Sequence, residues 1–122
     1  MLKDVEISES LQIGERELSV DLYLDAELKW FRGHFEEQSV LPGVIQLEWA
    51  QYYAQKLLTE GFVIEQVPQL KFMRPLLPGE KVRLHLLVDD KTREKPMVRF
   101  SYQVCGGEEE RLATQGKILL CP

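Results

Sequence analysis

Apolar and polar residues alternate over residues 18–24, where Leu18, Val20, Leu22 and Leu24 share one side of an extended chain. A period of two over seven residues predicts a half-buried strand. The next stretch, AELKWFRGHFEEQSVLPG, holds no period and contains two glycines and a proline, which predicts a structured loop. Its aromatic residues Trp30, Phe31 and Phe35 predict that this loop is packed down. From Val44 the spacing changes, with apolar residues at 44, 47, 50, 54, 57 and 58. A helix of about seventeen residues is expected, entered through Pro42 and ended by Gly61. Further apolar side chains at Ile45, Trp49, Tyr52 and Tyr53 widen its buried surface, so a sheet is expected to wrap the helix.

The remainder reads as antiparallel strands. Phe62–Val67 and Gln69–Met73 are two short candidates separated by Pro68, and Arg74 to Gly79 form a turn. Val82, Leu84, Leu86 and Val88 alternate, as do Val98, Phe100, Tyr102 and Val104 after a turn at Asp89–Arg93. Gly106-Gly107 marks a hairpin into a last strand through Leu112–Leu120. The order is strand, loop, one helix, then four or five strands, an α+β chain. One helix cannot shield so much sheet, so either the sheet curls around it or an identical subunit covers the rest. No GxGxxG or Walker sequence is present.

The 122 residues are read as one domain, 1–122, with 44% apolar content. No apolar run approaches the roughly 18 residues of a membrane span, and the N-terminus lacks a secretory segment. A cytoplasmic protein without membrane insertion is therefore expected. The net charge of −5 argues against nucleic acid as the main partner. Glu36–Glu37 and Glu108–Glu110 are read as solvated loop surface. Cys105 is expected in the core and Cys121 at the surface; their spacing matches no metal or redox motif. Neither a metal nor a cofactor is expected.

His34 precedes the helix and Glu48 lies in its early turns. A histidine can accept a proton near neutral pH, and a carboxyl among Leu47 and Trp49 can hold one for donation. Such a pair is suited to removing one proton and delivering another. Gly43 admits close approach to the backbone, and its N–H can address a thioester carbonyl at the helix start. On the residues alone, a packed histidine, a structural His–Glu pair and a helix-entry turn at Pro42-Gly43 account for the same pattern.

The segment Trp30 to Trp49, WFRGHFEEQSVLPGVIQLEW, closely resembles the active-site segment of bacterial 3-hydroxyacyl-acyl-carrier-protein dehydratases. The branch it resembles most is the one associated with aryl polyene synthesis. The shared features are GHF, a short bulge, PG, and a helix with an acidic residue fourteen positions after the histidine, here His34 and Glu48. The run from Lys71 to Glu80, KFMRPLLPGE, is similar to the family's strand and turn after the helix.

The resemblance implies a hotdog fold, an antiparallel sheet wrapped around one long central helix. It implies a homodimer with active sites at the subunit interface, His34 of one chain facing Glu48 of the other. The implied reaction is dehydration of 3-hydroxyacyl groups, on acyl carrier protein, to trans-2-enoyl thioesters in fatty-acid-like or aryl polyene synthesis. His34 then matches the base, Glu48 the acid and Gly43 the carbonyl-binding backbone. The family commonly has proline where this chain has Glu36 and Ser39, and the adjacent glutamates place the carrier's identity in question.

An acyl thioesterase, or a non-catalytic acyl-chain-binding subunit, would use the same fold. His85 is placed opposite the apolar face of its strand, and Tyr52 and Tyr53 are read as helix packing. Lys71, Arg74, Arg83 and Arg99 are equally explained as a rim for an acidic carrier and as solvated strand charges.

Overall fold

The computed structural model describes residues 8–25, 40–59, 61–105 and 111–122, with backbone alone at 8–10. His34, the aromatic residues around it, Glu36–Glu37 and the run from Gly106 to Glu110 lie outside the described residues. Along the chain come β1 (Ser8–Ile13), β2 (Glu17–Tyr23), α1 (Gly43–Ala54), β3 (Val63–Phe72), β4 (Lys81–Val88), β5 (Met97–Cys105) and β6 (Arg111–Cys121). The strands form one antiparallel sheet in the order β1-β2-β4-β5-β6-β3.

Register explains the core. Leu18, Val20 and Leu22 of β2 stand opposite Leu86, Leu84 and Val82 of β4. These in turn face Phe100, Tyr102 and Val104 of β5. Every alternating apolar set therefore falls on one face, and all of these residues are buried. Against that face α1 lays Ile45, Gln46, Trp49, Ala50, Tyr53 and Ala54. A six-stranded antiparallel sheet wrapped around the one helix of the described residues is the hotdog arrangement.

The opposite face carries the polar alternation. Arg83 pairs with Asp21 at 2.8 Å, and His85 Nε2 meets Glu17 Oε1 at 2.9 Å, as expected for residues turned away from the core.

The structure differs from the sequence reading in α1, β3 and β5, and adds β1. The helix has 12 residues, not about seventeen, since past Ala54 the chain tightens into turns in which the Lys56 and Leu57 N–H groups donate to carbonyls three residues back, and the Gln55 side chain ties this end to the start of β3. Gln55 Nε2 donates to the Phe62 carbonyl at 2.8 Å and Gln55 Oε1 accepts the Phe62 N–H at 3.0 Å. Gly61, at φ +100°, then turns the chain into β3.

The buried surface of α1 keeps the expected Ala50 and Ala54 with Ile45, Trp49 and Tyr53 beside them, but Val44 is 69% exposed and Leu47 only half-buried. With apolar residues nearly all round the helix, spacing alone could not select the buried face.

β3 is one strand instead of two. Its register against β6 slips between Ile64 and Gln66 and again between Gln66 and Gln69, so Pro68 sits in a bulged edge strand where no ladder bond is required of it. Cys105, expected in the core, is half-buried, because the inward position of β5 falls to Val104.

Candidate functional site

The helix entrance is built by a proline and a turn. Pro42, the N-cap residue, is extended at φ −60° and ψ 144°, and its carbonyl accepts the N–H groups of Ile45 and Gln46 at 3.0 and 3.1 Å. No side chain caps this end and no acidic residue stands in its first turn. The Gly43 and Val44 N–H groups donate to no described residue. The positive end of the helix dipole is thus left for an outside acceptor.

The residues before the helix are braced by the β3–β4 turn. Leu41 N–H donates to the Leu76 carbonyl at 2.9 Å, and both side chains are buried. That turn is itself fixed, since Glu80 Oε1 accepts the Leu77 N–H at 2.7 Å and Gly79 adopts φ +87°. Met73 and Arg74 N–H both reach the Ala113 carbonyl of β6, at 2.7 and 3.2 Å.

These two braced segments enclose a pocket of about 590 Å³. One wall is Val40, Leu41, Pro42, Gly43 and Gln46; the other is Phe72, Met73, Arg74 and Pro75. The two stretches that carried the resemblance, with 21 residues (50–70) between them in sequence, meet at one cavity. Its lining is mostly apolar and includes Gly43, whose N–H has no acceptor among the described residues, as suits an acyl chain ending in a polar group.

Beneath the pocket runs a buried polar cluster that the sequence reading missed. Gln46, 3% exposed, donates from Nε2 to the Leu41 carbonyl at 3.1 Å. Its Oε1 accepts the Thr114 hydroxyl at 2.7 Å, and its backbone carbonyl accepts the Tyr102 hydroxyl at 2.6 Å. Burial, with a smaller contribution from Tyr53, pushes the Tyr102 hydroxyl well above its ordinary range, so it remains a donor. The available signal was a glutamine inside the apolar run Val44-Ile45-Gln46-Leu47.

Glu48 is half-buried and does not line the pocket. Five residues beyond Gly43, it stands roughly 140° around the helix axis. It shares the side of α1 turned from the core with exposed Val44. The structure thus brings Gly43 into the pocket and directs Glu48 of the same chain elsewhere. His34 falls outside the described residues.

A family model described as ApeI-like, ApeI dehydratase, matches residues 10–117. The chain belongs to the ApeI-like dehydratase family. Among solved structures, the dehydratase heterocomplex ApeI:P from Xenorhabdus doucetiae is 38% identical, over 95% of this chain and 97% of that one, with a TM-score of 0.81. An uncharacterized protein from Erwinia carotovora is 35% identical over 95% of this chain and 93% of its own, with a TM-score of 0.79. A curated relative, the 3-hydroxyacyl-[acyl-carrier-protein] dehydratase FabZ of Colwellia psychrerythraea, is 36% identical over 66 residues. That match spans 46% of this chain and 43% of the relative, less than half the length of either. For an ApeI-like chain, the pocket at Gly43 is the candidate active site. Among the described residues no helix is long and apolar enough to cross a membrane.

Proposed function

We propose that this chain dehydrates 3-hydroxyacyl thioesters carried by acyl carrier protein to trans-2-enoyl thioesters, in fatty-acid-like or aryl polyene synthesis. The observation that carries this reading is the apolar pocket closed by both resembling segments, with an uncapped helix N-terminus at its rim. The thioester oxygen accepts from the Gly43 N–H, which lowers the cost of negative charge as the C2 proton leaves. His34 takes that proton, the C2 electron pair forms the C2–C3 double bond, and the C3–O bond breaks. Glu48 supplies the proton with which the hydroxyl departs as water. One proton has been gained by His34 and one lost by Glu48, and exchange with solvent resets both.

Because Glu48 points away from its own pocket, the acid is supplied by a second subunit, most simply another copy of this chain. Two features support a subunit there: the long β3 edge, with Val63, Val67 and Phe72 exposed, and the uncovered side of α1. A different polypeptide in that place is the other outcome of a mass measurement on the assembled protein, and the dehydratase heterocomplex ApeI:P is a relative that pairs with a second protein.

The test is intact-mass spectrometry of a panel of 3-hydroxyacyl carrier proteins, polyene chains included. Loss of one water with the thioester intact is expected on at least one member. Release of the free carrier thiol would identify a thioesterase instead, and no change on any member would reject the enzyme reading.

A further inference from the structure

We propose that the Gln46 side chain is a second hydrogen-bond donor to the substrate, acting beside the Gly43 N–H on the thioester oxygen. The inference rests on the thioester reading of the pocket given above. Residues 43 and 46 are three apart on α1, so they share a face of the helix, and both line the pocket.

The orientation of the amide follows from its partners. The Leu41 carbonyl can only accept, so the end of the side chain 3.1 Å from it is the nitrogen. The other end is then the oxygen, and it accepts from the Thr114 hydroxyl at 2.7 Å. An amide nitrogen carries two hydrogens. Only one of them is used: Gln46 makes no other side-chain hydrogen bond among the described residues. A donor left unsatisfied in a buried place is costly, and a leucine here would bury at no such cost. A substrate oxygen in the pocket removes that cost.

The rest of the cluster holds the donor in position. The Leu41 carbonyl opposes a flip of the amide, Thr114, fully buried on β6, holds its oxygen end, and Tyr102 on β5 fixes the backbone of the same residue. The spare N–H is therefore aimed by two strands of the sheet before any ligand arrives. Preorganised donors of this kind act without reorganisation during the reaction.

A purely bracing role for Gln46, holding Leu41 in place, makes a different prediction, and a pair of ligands separates the two. One probe is a 3-hydroxyacyl pantetheine in which an amide replaces the thioester and keeps the carbonyl. Its mate is the thioether, with CH₂ in place of C=O. The protein pair is wild type and Gln46→Met/Thr114→Val. That double change replaces both members of the Thr114–Gln46 hydrogen bond with apolar groups of similar size and leaves only the Leu41 carbonyl without its side-chain partner.

Calorimetry on the wild type should show the carbonyl probe bound about three- to tenfold more tightly than the thioether. In the double variant this preference should shrink at least twofold, to the share that the Gly43 N–H supplies, while its thioether affinity stays near that of wild type. Retention of the full carbonyl preference in the variant would overturn the inference. So would an equal loss of affinity for both probes, which is the signature of bracing alone, or a wild type that binds both equally. If the double variant does not fold, Thr114→Val alone releases the amide and should reduce the preference at least twofold; an unchanged preference again overturns the inference. Wild-type protein that binds neither probe would overturn the thioester reading itself, and this inference with it.

Discussion

The ring of Phe72 lies against Gly43 so closely that a Cβ on that glycine would stand 2.6 Å from the phenylalanine Cζ. The contact joins the edge strand β3 to the first turn of α1, at the mouth of the candidate site. Phe72 is 55% exposed, so its ring has room to swing outward.

Gly43→Ala therefore tests function apart from stability. Displacing an exposed ring is inexpensive, and alanine favours the helix, so stability should change by no more than about 1 kcal/mol. The methyl group would occupy the approach to the N–H, and turnover should fall at least about tenfold. Urea unfolding and a steady-state rate check the two halves. A folded variant with wild-type turnover would remove Gly43 from the site.

Complementation tests whether the acid acts across subunits. His34→Asn and Glu48→Gln proteins should each lose at least about 10²-fold in dehydration rate. A purified mixed dimer carries one site with both native residues, and should recover about half of the wild-type rate per dimer. Circular dichroism establishes that each variant is folded. An inactive, verified mixed dimer would reject the trans arrangement and leave the chemistry open.

Gly116→Ala should act on stability alone. A Cβ there would stand 2.5 Å from the Gln69 carbonyl oxygen and 2.9 Å from the Phe100 ring, and the first of these is backbone. Unlike Phe72, neither neighbour can swing into solvent. Overpacking of this kind costs about 1–3 kcal/mol, to be read as a lower urea midpoint. An unchanged midpoint would show that β3 can shift away from β6.

Alkaline pH should weaken the fold through Tyr102. Its hydroxyl ionises at higher pH in the folded chain than in the unfolded one, so the neutral form contributes stability below about pH 10. Above that the unfolded chain releases the proton first, and stability falls as pH rises towards the folded value. Tyr102→Phe has no such proton. The stability difference between wild type and this variant should narrow above about pH 10 in parallel urea titrations. A constant gap would mean that Tyr102 does not titrate differently in the two states.

The strands that pack one face on the core were legible because each carries its own alternation: β2, β4 and β5 align Leu22, Val82 and Val104 across three strands. β1 was not, since Ser8–Ile13 offers only Leu11 and Ile13, both exposed on an edge. The existence of α1 and most of its buried residues were legible, but the exposure of Val44 was not, because Ile45 and Val44 are equally apolar and only the sheet distinguishes them. At the site, Gly43 was marked by its place after proline at a helix start. Gln46 was not, because a lone glutamine in a helix usually faces water and only Thr114, 68 residues away, makes it a buried group.

The two slips in the β3 register set a rule for how this chain can change length. From Ile64 to Phe72 the strand advances eight residues, while β6 advances only six from Leu120 to Thr114. Each slip is one surplus residue of β3 taken up by a bulge, so Ile64 and Phe72 still pair with Leu120 and Thr114, both on the buried side of β6. Deleting one residue at either slip would remove that bulge and leave both ends facing as they do. The same deletion between Gln69 and Phe72, where the ladder is regular, would turn one end over unless a slip took up the change. The bulges thus give the strand slack, and its length can change there without either end changing sides.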